Sequence, residues 1–204
     1  MNKLSFGSCN ELAGLVKMSA KMTALLASAK KGDKKAFESL MRILERPVYM
    51  TAFSIIPDAD EAKDIVQETF LRLYKHLKKI RSEAGFKCFV FKMATNCAID
   101  RKRRLKRKKL SLNEEGAFPA SVEIKLSERI ESPDKYTERR ELLKIVQTVV
   151  DQLPPRQKLC LILADLDGLS RKEIAHILGC PQGTVRSNLH IARLKLRSAL
   201  KDFR

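Results

Sequence analysis

Residues 170–196 read SRKEIAHILGCPQGTVRSNLHIARLKL, and this stretch decides the fold class. Ser170 with Glu173 three residues later is a capping box that opens a helix. Ile174, Ala175, Ile177 and Leu178 follow at helical spacing up to Gly179. Pro181-Gln182-Gly183-Thr184 then opens a second helix carrying Val185. This is helix-turn-helix spacing. Ala175 lets the two helices approach, Gly179 relaxes the turn, and Val185 locks the second helix on the first. The second helix exposes Arg186, Ser187, Asn188, His190 and Arg193, side chains suited to base edges and phosphates in a major groove. An ordinary helical hairpin with a basic, solvated face would satisfy the same spacing.

The pattern around this stretch is also helical. Upstream, Gln157 to Leu166 reads as a helix ended near Gly168, and Glu141 to Leu153 as one ended by Pro154-Pro155. Residues 136–204 thus form one helical domain. Residues 110–135, with Pro119, Pro133 and several Ser, read as a linker. Residues 23–109 form a first helical domain, and residues 1–22 an extension expected to be poorly ordered. The sequence leaves open a start at Met1, Met18 or Met22, or a regulatory role for the extension. Across 204 residues there are only eight Gly and seven Pro, and no run alternates convincingly as a strand. Aromatic residues make up 6% and there is no Trp, which limits the size of any core. The expected fold is all-α: two small helical domains joined by a flexible linker, the C-terminal one a helix-turn-helix.

In the first domain, Asp58, Asp60 and Glu61 suit a helix N-terminus, where the macrodipole favours negative charge. Ala62, Ile65, Val66, Phe70, Leu73 and Leu77 then form a core-facing stripe. A second face of the same helix carries Asp64, Gln67, Glu68 and Leu71. An acidic face in so basic a chain points to a protein partner, or else to a solvated surface. The next helix places Phe86, Phe89, Val90, Met93, Ala94 and Cys97 on its apolar side, and Asn96, Asp100 and Arg103 on its far side. It runs into the basic stretch 101–109. Aromatic rings beside cations suit single-stranded DNA, where bases stack and phosphates meet Lys or Arg. Phe86 and Phe89 read as core, and Phe91, off the main stripe, as the better exposed ring.

Composition narrows the function classes. Lys and Arg total 41 against 24 Asp and Glu, a net charge of +17, which calls for a polyanionic partner. No run approaches the ~20 apolar residues of a membrane span, and no secretory signal is recognisable, so a cytoplasmic protein without membrane insertion is expected. Cys9, Cys88, Cys97, Cys160 and Cys180 lack a CxxC pair, and the three His are scattered. No metal or cofactor is expected, and the cysteines read as mostly buried free thiols. A recombinase-like enzyme would need a nucleophile on a mixed sheet with clustered Arg, and neither pattern is present.

Several of these stretches together resemble one family. Residues 60–71 (DEAKDIVQETFL) are similar to the polymerase-binding helix of extracytoplasmic-function sigma factors of the sigma-70 family. Phe86 to Arg104, with Ala94-Thr95-Asn96 and Ala98-Ile99-Asp100-Arg101, resembles their promoter-melting helix. Leu153 to Gln157, Gly168-Leu169-Ser170 and residues 183–193 resemble their C-terminal domain. The resemblance runs from about Ala29 to Arg204. It implies a non-catalytic subunit that binds core RNA polymerase, recognises −35 and −10 promoter elements and assists DNA melting. It assigns Asp64, Gln67, Glu68 and Leu71 to the clamp helices of the largest polymerase subunit. Asn96 and Asp100, with the loop from about His76 to Ser82, would hold flipped −10 bases, and Arg101, Arg103 and Arg104 would hold phosphates there. Arg186, Ser187, Asn188, His190 and Arg193 would read the −35 element. An anti-sigma factor is the further partner implied. The chain departs from the family pattern at Phe89, where Trp is usual, and at Asn188 and Ile191, where Arg is common. The competing reading is a helix-turn-helix regulator acting without polymerase, which leaves the acidic face of residues 64–71 unexplained.

Overall fold

The computed structural model describes residues 21–80, 85–112, 142 and 144–201. Helix α1 spans 21–30, α2 Lys34–Ile55, α3 Ala59–His76 and α4 Phe86–Leu112. A 3₁₀ turn, Leu77–Lys79, follows α3. Then come α5 over 144–151, α6 Pro155–Leu161, a π turn Ile162–Leu166, α7 Arg171–Leu178 and α8 Gln182–Lys201. No strand occurs among the described residues. The extension 1–20, the loop 81–84 and most of the expected linker lie outside them. Helix α4 continues to Leu112, past the expected boundary at 110. Met22, assigned to the extension, is buried in the core.

Local chemistry explains the helix ends. Asp33 caps α2 by accepting from the Lys35 and Ala36 backbone N–H groups at 2.9 and 3.2 Å. Asp58 caps α3 by accepting from Asp60 and Glu61, both at 3.0 Å. Such caps satisfy N–H groups that the helix itself leaves unpaired. Pro155 starts α6, where its missing N–H costs nothing. The capping box on α7 is complete: Ser170 Oγ accepts from Glu173 N–H, and the Glu173 carboxylate accepts from Ser170 N–H at 2.8 Å. Gly179 ends α7 at φ 61°, a left-handed conformation that side-chain-bearing residues rarely adopt.

Two cores result. The first packs α1, α2, α3 and the start of α4 through Leu26, Leu40, Leu44, Val66, Leu73 and Phe86. The second is shared between the halves of the chain. Phe53 of α2, Ile56 just after it, and Cys88 and Phe91 of α4 join Leu163, Leu169, Ile174 and Val185 from the C-terminal half. Polar contacts cross the same seam. Lys87 Nζ donates to the Asp167 carbonyl at 3.3 Å, Lys92 Nζ approaches His176 Nε2 at 2.9 Å, and the Lys158 ammonium lies 5.8 Å from the Phe53 ring centre.

The seam corrects one expectation. Phe91 is 1% exposed and Phe89 37%. Helix α4 is covered on two sides, by the first core along Phe86, Val90 and Ala94 and by the C-terminal half along Cys88, Phe91 and Ala98. Phe89 lies on the side that remains open. Cys88, Cys97 and Cys160 are buried free thiols, as expected. Burial raises all three thiol pKa values, that of Cys160 to about 11, which keeps them in the unreactive thiol form.

Candidate functional site

Three faces carry the candidate residues. The first lies on α3. Asp64, Gln67 and Leu71 are exposed and Glu68 is half-buried, all on one side of the helix as their i, i+3, i+4, i+7 spacing requires. Leu71 is 64% exposed. A large apolar side chain held in water among acids suits a contact to be buried by a protein rather than by DNA. Neighbouring Tyr74 is also exposed, its ring edge-on to Phe37 at 5.1 Å. Glu68 is paired with Arg72 one turn on.

The second face lies on α4. Asn96, Asp100 and Arg103 are exposed in one row, and Phe89, seven residues before Asn96, falls on the same row. Arg103 is 3.8 Å from Asp100. Arg104, Lys106 and Arg107 extend the positive charge beyond it. Arg101 departs from the expected pattern. Its Nε donates to Glu61, its NH2 group donates to Glu61 at 3.1 Å, and the same group donates to Asp64 at 3.4 Å. The hydrogen bonds it donates to Glu61, above all, raise the guanidinium pKa further. In this arrangement Arg101 faces two carboxylates on α3, and one of them belongs to the first face. Lys102 is likewise turned inward, donating to the Ile55 carbonyl at the end of α2 at 3.0 Å.

The third face lies on α8. Val185, Leu189 and Ala192 are buried against the rest of the C-terminal half, which turns Arg186, Ser187, His190 and Arg193 outward. These residues border a groove of about 960 Å³ closed on its other side by Leu169 and Arg171. Asn188 is half-buried, and its side-chain amide donates back to the Thr184 carbonyl at 2.9 Å. Ser187 Oγ similarly donates to Gly183 at 3.1 Å. Arg193 is held by Asp165 of the π turn, with Nε donating at 3.1 Å. Arg186 and His190 are thus the more open members of the expected set.

Sequence reasoning missed Glu61 as a partner of Arg101, and it missed Asp165 and Asp167. Asp167 is 8% exposed with one carboxylate oxygen lacking a hydrogen-bond partner, and burial raises its pKa from 3.8 to about 7 against the opposing pull of Lys87. Glu61 and Arg101 are 40 residues apart, and Asp165 and Arg193 28. No local pattern marks pairs at those separations. Among the described residues no group of His, Cys, Asp or Glu could hold a metal, and no helix is long and apolar enough to cross a membrane.

Comparison with known proteins covers all three faces. Residues 40–108 match the Sigma-70 region 2 family and residues 143–196 the Sigma-70, region 4 family. The RNA polymerase sigma-H factor of Pseudomonas aeruginosa is 30% identical over 181 residues, covering 87% of this chain and 92% of its own. The ECF RNA polymerase sigma-E factor of Escherichia coli strain K12 is 32% identical over 182 residues, covering 86% and 93%. Among solved structures, the fold is similar to that of the sigma factor RpoE in complex with the anti-sigma factor NepR from Bartonella quintana. That match has a TM-score of 0.63 at 24% identity, over 82% of this chain and 98% of that one. CnrH in complex with the cytosolic domain of CnrY matches with a TM-score of 0.56 at 21% identity, over 89% and 98%. Both sigma-70 regions occur here in order, and near-full-length relatives reach 30% identity or more; the chain belongs to the family of ECF RNA polymerase sigma factors.

Proposed function

We propose that this chain binds core RNA polymerase and directs promoter-specific initiation through two DNA-binding faces, without catalytic chemistry of its own. The observation that carries the reading is the coexistence in one chain of an acidic, partly apolar face on α3 and basic faces on α4 and α8. A regulator that bound DNA alone would have no use for the first. Asp64, Gln67, Glu68 and Leu71 dock on the clamp helices of the largest polymerase subunit. Asn96 and Asp100 hold unpaired −10 bases, with Phe89 offering a ring for stacking. Arg103 and Arg104 neutralise phosphates beside them. Arg186 and His190, with Ser187, Asn188 and Arg193, address the −35 element in the major groove, where residues near the start of a recognition helix reach base edges.

The two elements lie about 25 base pairs apart, or roughly 85 Å at 3.4 Å per pair. Halves that share one core do not span that distance, so promoter engagement requires the seam between α4 and α7 to part. Two modest DNA contacts joined through one polymerase then act at high effective concentration, which makes recognition depend on spacing as well as sequence. The protein works in the cytoplasm. An anti-sigma factor is a further partner, a reading supported by the RpoE–NepR complex among its structural neighbours.

The test is to mix the purified chain with sigma-free core polymerase, run gel filtration, and sequence transcripts made from a genomic library. Co-elution with defined start sites is the expected result. DNA binding without co-elution would instead favour the helix-turn-helix regulator.

A further inference from the structure

The side chains that line the groove along α8 are not equally free. Arg186, His190, Arg193 and Arg197 fall on one row at helical spacing. Arg186 has no ion-pair partner among the described residues. Arg193 is gripped along one edge: its Nε donates to Asp165 Oδ2 at 3.1 Å, and its Nη2 donates to Asp165 Oδ1 at 2.5 Å. Asp165 is presented by the π turn Ile162–Leu166, which buries Ile162 and Leu163. The turn is wide because the Asp167 N–H donates to the Ile162 carbonyl, five residues back, at 3.1 Å. Turns of this kind are rare and occur frequently at functional sites. The side chains of Arg193 and Asp165 are 55% and 39% exposed, and an ion pair so open contributes little to stability. What the pair fixes is the direction of the guanidinium.

We propose that Asp165 is a positioning residue for sequence recognition: it holds Arg193 so that the free edge of the guanidinium reads a guanine in the −35 element. The inference rests on the assignment of α8 to that element. A guanidinium is planar, and its N–H donors form a rigid fork. Asp165 takes the edge formed by Nε and Nη2, which leaves the end formed by Nη1 and the second Nη2 hydrogen. That end matches the O6 and N7 acceptors that guanine presents side by side in the major groove. The carboxylate also offsets the charge of Arg193. Attraction to any nearby phosphate is thereby weakened, while the directed donors remain. Arg186 and Arg193 are seven residues apart. At 1.5 Å per residue that is about 10.5 Å, or about three base pairs at 3.4 Å for a helix lying along the groove. The guanine should therefore lie about three pairs from the pair nearest Arg186.

The readout is base preference, which a merely structural ion pair would leave unchanged. Holoenzyme is reconstituted from the full chain and sigma-free core. It is tested by competition binding on duplex promoter fragments, from a promoter located by transcript sequencing, that carry every single-pair change in the −35 element. Changing the guanine should weaken wild-type binding by about 10-fold or more. Arg193→Ala should abolish that preference. Asp165→Ala should cut it to about 3-fold or less while preferences at the other pairs persist. The double variant should show no further loss beyond Arg193→Ala, because the two side chains act as one unit. Asp165→Asn, which keeps the shape and one acceptor, should fall between wild type and Asp165→Ala. Far-UV circular dichroism checks the fold of each variant, and if Asp165→Ala does not fold, Asp165→Asn decides alone. An equal loss on every fragment in Asp165→Ala would mean that the pair only braces the π turn, and it overturns the proposal. An equal loss on every fragment in Arg193→Ala identifies a phosphate contact and overturns it too. In both cases base preferences at the other pairs would leave the assignment of α8 standing. Wild-type holoenzyme indifferent to every −35 change would overturn that assignment itself, and the proposal with it.

Discussion

Asp167→Asn should make the protein more stable above neutral pH and remove a pH dependence that the wild type shows. In the folded chain the Asp167 carboxyl is buried, one of its oxygens has no hydrogen-bond partner, and its pKa is raised from 3.8 to about 7. Burial is the first cause, since it penalises the charged form, and Lys87 offsets part of it. The sign follows from proton counting. Between pH 3.8 and about 7 the folded state keeps a proton that the unfolded state has lost, so stability falls as pH rises through this window. Below the window both states are protonated and the penalty is absent. Above it the penalty is complete and flat. At about 1.4 kcal/mol per pH unit, the full displacement corresponds to about 4 kcal/mol, and relaxation of the site brings the expected effect to about 2–4 kcal/mol. Urea unfolding of wild type and Asp167→Asn, followed by far-UV circular dichroism at pH 5 and pH 8, measures it. The wild type should lose stability between the two conditions relative to the variant. Parallel pH profiles would refute the reasoning, because they would mean that the carboxyl is ionised and solvated in the folded state.

Phe91→Ala should cost about 3–5 kcal/mol, as truncation of a fully buried Phe does, and should loosen the seam so that the hydrodynamic radius rises. Phe89→Ala should cost under about 1 kcal/mol of stability while slowing open-complex formation, measured by permanganate footprinting of the −10 region. Equal stability losses for the two would reverse the assignment of which ring is exposed. Gly179→Ala should destabilise the C-terminal half by about 1–2 kcal/mol, because φ 61° is strained for any residue with a Cβ, and a melting curve detects it. Arg186→Ala should cost about 1–3 kcal/mol at a single −35 position in a binding assay across promoter variants, whereas a uniform loss would identify a phosphate contact.

Much of the local structure was legible from residues near one another in the chain. The Ser170–Glu173 box, Gly179 and Val185 each act within two turns of helix, so their spacing alone announces the helix-turn-helix. The outward rows of α3 and α8 follow from a period of 3.6 residues and the apolar stripe beneath them. Helix α2 was not resolved by sequence pattern, although Asp33 caps it as Asp58 caps α3. Ring exposure on α4 was misjudged. Amphipathic spacing reveals one buried side, and α4 has two, the second supplied by the C-terminal half.

Sequence by itself therefore determined the helical class, the helix-turn-helix and most of the outward rows of α3 and α8, because those follow from capping and periodicity within a few residues. Tertiary structure alone decided that Phe91 is buried, that Arg101 faces Glu61 and Asp64, that Asp165 holds Arg193, and that Asp167 loses its water. Burial and ion pairing depend on which surfaces meet in space. Two helices separated by scores of residues meet only when the whole chain has folded.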